Sequence, residues 1–208
     1  MVFLIILAAV CSYLLGNLKG AIIVYRLIAN DDVRTHGSGN AGLTNFIRNY
    51  GAKSALLVIL IDMGKAILAC WGSGLLLASQ LSYDTGVALG GLFVILGHNF
   101  PALLGFKGGK GILSGVTVAL MMDWHIGVFV FSIFLVAYLL TQYVSLGSVL
   151  SSGSFGFIYA YFHWGNWFPI MVGFSLSAML VWMHRANIVR LINGQERKTN
   201  LFQKGKSK

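Results

Sequence analysis

The sequence predicts an all-α integral membrane protein of about seven transmembrane helices, one of them short, with the N-terminus outside and the C-terminus cytoplasmic. Three observations carry this. Of 208 residues 57% are hydrophobic and only 10% charged, against about 25% charged in a soluble domain. The apolar runs are long and only two prolines occur, which favours helices over the short alternating strands of a β-barrel. The basic residues behind the net charge of +9 fall between and after these runs, a pattern of membrane topology rather than nucleic-acid binding.

A helix needs about 20 residues to cross the hydrocarbon core. Seven segments are candidates, at roughly 2–25, 54–79, 85–105, 111–122, 125–142, 145–163 and 166–184, the fourth the doubtful one. The fourth rises only about 18 Å and reads as a half-span or the end of a re-entrant element. The first, MVFLIILAAVCSYLL, lacks the basic start of a signal peptide, and Val10 before Cys11 spoils a lipoprotein cleavage site, so it is expected to be retained. Cys11 and Cys70 lie in apolar runs without pairing logic and read as packing residues. The whole chain, 1–208, forms one transmembrane domain, with a basic cytoplasmic tail over 199–208.

Orientation follows from Lys and Arg. The inner segments hold Arg26, Arg34, Arg48, Lys53, Lys107, Lys110, Arg185, Arg190, Arg197, Lys198, Lys204, Lys206 and Lys208. The outer connections near 80–84, 123–124 and 164–165 hold none, which is strongly one-sided by the positive-inside rule. Counting the short fourth segment as a crossing keeps that asymmetry.

Charges inside spans are costly unless they snorkel, pair or face a cavity. Lys19 interrupts the first span, and is expected to snorkel or to face the interior. Asp62 and Lys65 interrupt the second at i, i+3 spacing, which can pair them on one face; a structural ion pair and a functional one are both open. The many glycines within spans read mainly as helix-packing positions.

Three polar clusters carry the chemistry. The first, Gly37 to Arg48 (GSGNAGLTNFIR), gathers glycines, hydroxyls, amides and a guanidinium, which suits a phosphate-gripping loop. It matches GxGxxG literally, but hydrophobic spans flank it instead of a βαβ unit, so a dinucleotide site is rejected. The second, GHNFPALLGFKGGKG over 97–111, sets Lys107 and Lys110 around Gly108 and Gly109 in a candidate phosphate cradle; the spacing is not that of a Walker A loop. His98 is placed in the outer or middle part of the third span, and Pro101 kinks or ends that helix. The third, HRANIVRLINGQERK over 184–198, puts His184 and Asn187 one turn apart, able to face the same way. A plain glycine-rich turn, a basic topogenic turn and an interface histidine are the bland readings of the three, and their coincidence on one expected face speaks for a site.

Taken together, GSGNAGLTNFIRNYG, GHNFPALLGFKGGKG and HRANIVRLINGQERK, in that order over essentially the whole chain, closely resemble the bacterial membrane glycerol-3-phosphate acyltransferases that use acyl phosphate, the PlsY family. The resemblance implies transfer of a fatty acyl group from acyl phosphate to the sn-1 hydroxyl of glycerol 3-phosphate. The products would be lysophosphatidic acid and phosphate, at the first acylation of phospholipid synthesis in the bacterial inner membrane, with the active site facing the cytoplasm. It implies catalytic roles for Ser38, Lys110, His184 and Asn187. Substrate contacts fall to Gly37, Gly39, Asn40, Thr44, Asn45, Arg48, His98, Lys107, Gly108, Gly109 and Glu196, with Arg48 a phosphate clamp and Glu196 an anchor that pairs with a basic residue. His98 either serves the reaction or holds its helix. No metal, cofactor, nucleic acid or obligate protein partner is expected; the partners are the two substrates and membrane lipid.

Phosphate is already a good leaving group, so positioning, charge neutralisation and water exclusion suffice, and direct transfer without an acyl-enzyme is expected. The chain departs from the family pattern in three places. SYLLGN lacks a proline after its serine, Ala66 replaces the glycine of a DxxKG element, and Ile112, Leu113 and Ser114 follow the GGKG turn where a small residue and threonine are usual. These put the first-span kink and a hydroxyl contact in question. No histidine has an Asp five positions on, which excludes the HxxxxD acyltransferases. A transporter of phosphate esters is the competing class, disfavoured by one-sided polar clusters and the lack of an inverted repeat.

Overall fold

The computed structural model describes residues 1–51 and 54–199; Lys53 and positions 200–208 of the expected tail lie outside the described residues. Among the described residues every regular element is helical. The helices are α1 (Val2–Asn17), α2 (Gly20–Ala29), α3 (Leu43–Tyr50), α4 (Ala55–Leu77), α5 (Tyr83–Asn99), α6 (Ile112–Met122), α7 (Trp124–Thr141), α8 (Val144–Phe162), α9 (Trp167–Met183) and α10 (Arg185–Ile192).

Each expected apolar segment is helical, but length and composition single out fewer membrane crossings than seven. Val2–Ala29, Ala55–Leu77, Tyr83–Leu104 and Trp124–Thr141 are long and apolar enough, and α9 with α10, bent by 58°, makes a fifth if taken as one broken span. The shorter Ile112–Met122 has 11 residues. In α8 five serines and three glycines dilute the apolar character.

The first segment is not one continuous helix. Leu18 and Lys19 are extended between α1 and α2, although no proline stands there. The reason lies in α4. Lys65 donates to the Leu18 carbonyl, and the Gly20 N–H donates to Asp62 Oδ1 at 3.3 Å. Side chains thereby satisfy the backbone groups that the break frees, as a membrane interior requires.

The core lies between α4, α5, α6 and α9, around Cys70, Val87, Val94, Ile95, Val118 and Leu176. Where α1 crosses α5, Gly16 and Gly97 let the backbones touch: a Cβ on Gly16 would stand 2.8 Å from Gly97 Cα. A second cluster joins Tyr25 of α2 and Val33 to Phe46 of α3 and Val58 of α4. It seats the short amphipathic α3 against the end of the bundle. Helix α5 stops at Asn99, two residues before Pro101, because proline disfavours helical geometry in the residue before it. His98 therefore sits in the last turn of α5, beside the GGKG turn, and not in the outer or middle part of the third segment as expected.

Candidate active site

The first loop is braced from within. Buried Asn45 accepts from the Ser38 N–H at 2.9 Å and donates to the carbonyls of Val33 and His36, each at 3.1 Å. Its side chain thereby holds the loop in shape. Gly37 and Gly39 take left-handed backbone angles; at Gly37 a Cβ would also stand 2.8 Å from Asn49 Nδ2. Ser38 is exposed, and its hydroxyl makes no hydrogen bond among the described residues. Asn40 and Thr44 are half-buried, likewise without side-chain bonds there.

The second turn lies directly against the first loop. A Cβ on Gly109 would stand 3.3 Å from the Ala41 carbonyl oxygen and 2.6 Å from His98 Nε2. Only glycine lets the three groups meet. The Gly109 N–H donates to the His98 carbonyl at 3.3 Å, and Lys19 donates to the same carbonyl. Gly108 is half-buried and packs against the carbonyls of His98 and Asn99. Lys107 is exposed and makes no hydrogen bond or ion pair among the described residues, so it is not drawn into the cluster around Lys110.

Behind this turn lies a buried polar network. Lys65 pairs with Asp62 at 2.7 Å and reaches His98 Nδ1 at 2.9 Å. Ser114 donates to the Asp62 carbonyl at 3.0 Å and stands 3.5 Å from the same ring nitrogen. Lys19 faces this interior, and Ser114 keeps a hydroxyl against His98. The Asp62 and Lys65 pair thus ties α1, α2, α4 and α5 together beneath the turn.

The third cluster closes the site. His184 occupies the bend between α9 and α10, where Nδ1 lies 2.8 Å from the Leu180 carbonyl oxygen. A carbonyl only accepts, so Nδ1 carries the hydrogen, and Nε2 of the neutral ring is left as an acceptor. Lys110 donates to Asn187 Oδ1, Asn187 Nδ2 to Glu196 Oε1 at 2.8 Å, and Arg190 Nε to Glu196 Oε2 at 2.8 Å. Glu196 anchors its segment through Arg190. Burial pushes its carboxyl up, but the bonds from Asn187 and Arg190 outweigh this and hold it below the usual range. Burial first, then the charge of Arg190, lowers the Lys110 ammonium to about 8.

Arg48 donates to Thr199 and reaches the Arg197 carbonyl at 3.5 Å. Thr199 is pinned in turn: its N–H donates to the Gln142 carbonyl at 3.0 Å, and the Tyr138 hydroxyl donates to the Thr199 carbonyl at 3.1 Å. Sequence reasoning missed Thr199 and Arg190 as parts of the site. The i, i+3 spacing of Asn187 and Arg190 could have revealed the latter; nothing local marks the former. Among the described residues no group of three or more His, Cys, Asp and Glu side chains gathers as a metal site. An apolar groove of about 360 Å³ runs between α1 and α5, walled by Val10, Tyr13, Leu96, Phe100 and Phe106.

Such an architecture is that of a helical integral membrane protein with a cationic, glycine-lined face at one end of its bundle. A family model described as glycerol-3-phosphate acyltransferase matches residues 6–194. The glycerol-3-phosphate acyltransferase of Clostridioides difficile (strain 630) is 39% identical over 199 residues, covering 95% of this chain and 96% of that one. Its counterpart from Thermoanaerobacter sp. (strain X514) is 36% identical over 193 residues, covering 93% and 94%. The crystal structure of PlsY (YgiH), an integral membrane glycerol 3-phosphate acyltransferase, in its glycerol 3-phosphate form superposes with a TM-score of 0.84 at 29% identity, over 96% of this chain and 99% of that one. The chain belongs to the glycerol-3-phosphate acyltransferase family.

Proposed function

We propose that this protein transfers a fatty acyl group from acyl phosphate to the sn-1 hydroxyl of glycerol 3-phosphate, giving lysophosphatidic acid and phosphate. The observation that carries this reading is the chain Lys110, Asn187, Glu196, Arg190, set beside Arg48 and the glycine turn. Both substrates bear a phosphate, and this cluster holds cations without enough carboxylates to neutralise them. The glycerol 3-phosphate and lysophosphatidic acid forms of PlsY, both similar to this chain, support the acceptor and the product.

In the reaction the hydroxyl oxygen forms a bond to the acyl carbon while the bond from that carbon to the phosphate oxygen breaks, without an acyl-enzyme. Lys110 and Arg48 neutralise phosphate charge, and Lys110 stabilises the leaving group as charge builds on it. Ser38 and the N–H groups of the first loop complete the cradle. His184 Nε2 accepts the hydrogen bond of the attacking hydroxyl. The proton passes either to this nitrogen or to a substrate phosphate oxygen. The apolar groove between α1 and α5 suits a long acyl chain.

In this reading the chain crosses seven times with its N-terminus outside, and the one-sided Lys and Arg support placing this face on the cytoplasmic side of the bacterial inner membrane, where glycerol 3-phosphate arrives and the positive field attracts it. The test is the initial rate of phosphate release from palmitoyl phosphate by purified protein, with and without glycerol 3-phosphate. Acceptor-dependent release that disappears in Lys110→Ala is expected. No acceptor-dependent release from a folded preparation would overturn the donor and the reaction.

A further inference from the structure

The exposed side chains of α9 and α10 form one strip. Met171, Phe174, Ala178 and Trp182 follow one another at spacings of three and four along α9, and Arg185, Val189 and Ile192 continue that spacing through α10. On α9 lipid covers this side, because the helix is apolar and its other side packs on α5 and α8. Helix α10 turns by 58° from α9 without interrupting the strip, and Val189 is still 57% and Ile192 79% exposed. His184 and Asn187 lie on the opposite, buried side, where Asn187 meets Lys110 and Glu196. One helix of eight residues thus carries site residues on one side and an apolar strip on the other. Arg185 is the charge in the strip, and it makes no ion pair among the described residues. Its guanidinium stands 5.0 Å from the centre of the Trp182 ring, and Nη1 donates to the Trp182 carbonyl at 3.2 Å. Its remaining donors face outward without a protein acceptor among the described residues.

We infer that the outer side of α10 docks on anionic phospholipid headgroups, with the Arg185 guanidinium taking a lipid phosphate, Trp182 beside it, and Val189 and Ile192 resting on the acyl chains. Two observations choose lipid as the occupant. The strip is continuous with the side of α9 that lipid already covers. A charge facing hydrocarbon is costly and an indole settles at the headgroup level, so Trp182 and Arg185 mark where the strip leaves the hydrocarbon. The charge then chooses the headgroup. The strip holds no carboxylate, and Arg197 and Lys198 are exposed at the same end of the bundle. A zwitterionic headgroup brings its own ammonium to its phosphate and competes with the guanidinium, whereas an anionic one does not. So short a helix is marginal by itself; the contacts of Asn187 and Arg190 brace it from inside, and lipid braces it from outside. The inference rests on membrane insertion alone and is independent of the acyl donor.

The experiment is fluorescence quenching of the full-length protein in dioleoylphosphatidylcholine vesicles that contain brominated phosphatidylcholine or brominated phosphatidylglycerol. Trp71, Trp124, Trp164 and Trp167, all exposed, are replaced by Phe so that Trp182 alone emits. Phosphatidylglycerol is expected to bind beside Trp182 about fivefold more tightly than phosphatidylcholine, the worth of one Arg at a charged surface. Arg185→Gln should abolish the preference with little change in thermal midpoint, and Arg185→Lys should keep most of it. In the protein with all its tryptophans, hydrogen exchange of the α10 amides should slow severalfold when phosphatidylglycerol is present, and Arg185→Gln should show no such slowing. Equal quenching by the two lipids, or a preference that survives Arg185→Gln, would overturn the inference. Quenching by neither lipid, with a particle mass of two chains, would show that a second copy covers the strip and overturn it too. Exchange indifferent to lipid charge would overturn the bracing of α10. Because no substrate is present, failure of phosphate release from acyl phosphate would count against the donor alone.

Discussion

Lys110, in the turn before α6, donates to the side-chain oxygen of Asn187 on α10, 77 positions along the chain. The contact joins the second and third polar clusters and leaves the ammonium beside Arg190 and Arg48; burial first, then these charges, lowers its pKa. A cation held among cations gains most when an anion arrives. Lys110→Ala is expected to lower kcat by about 10²- to 10³-fold, the scale for a lost charge-stabilising donor. Asn187→Ala is expected to cost about tenfold, and the double variant less than the product of the two, because both act through one contact. Initial rates with saturating substrates check this.

The pH profile should show the same group. If the protonated form of Lys110 binds phosphate, as proposed, that form is lost as pH rises through about 8. On the alkaline side kcat/KM for glycerol 3-phosphate should therefore fall, since this parameter reports the free enzyme. Arg190 depresses the pKa and Glu196 raises it. Arg190→Gln should move the alkaline limb upward and Glu196→Gln should move it downward; limbs that stay in place would rule Lys110 out as the titrating group.

Arg48 is steered by Thr199. Thr199→Val keeps the shape and removes the oxygen, so the guanidinium loses its fixed direction. The expected outcome is a KM for glycerol 3-phosphate raised about five- to tenfold with kcat little changed. Arg48→Ala should cost more in KM, and combining the two should add little.

The Asp62 and Lys65 pair is a matter of stability. Asp62→Leu strands a buried ammonium, and breaking such a pair costs about 3–5 kcal/mol. The thermal midpoint in detergent should drop sharply. Asp62→Leu with Lys65→Met should recover a large part of it, though the freed N–H of Gly20 and carbonyl of Leu18 prevent full recovery.

Much of this was legible in the sequence, for physical reasons. Apolar length and the placement of Lys and Arg are properties of a segment by itself, so the helices and the three polar clusters could be read off. The break at Leu18 and Lys19 could not, because its cause is Asp62 and Lys65 on another helix. The bracing role of Asn45 could not be read for a similar reason: its partners, the Ser38 N–H and the carbonyls of Val33 and His36, come to it only when the loop folds. The spacing of Asp62 and Lys65, by contrast, was a local signal and proved a true pair.

Arg48 and Thr199 are separated by 151 positions, and this sets the order in which the protein can come into being. A chain inserted into the membrane during synthesis has both glycine loops in place well before the segment around Thr199 emerges. Until Thr199 docks on Gln142 and Tyr138, the guanidinium has nothing to hold it in position. A nascent chain in which Thr199 has not yet docked would thus hold phosphate less tightly, and full affinity would arrive only once that segment is in place.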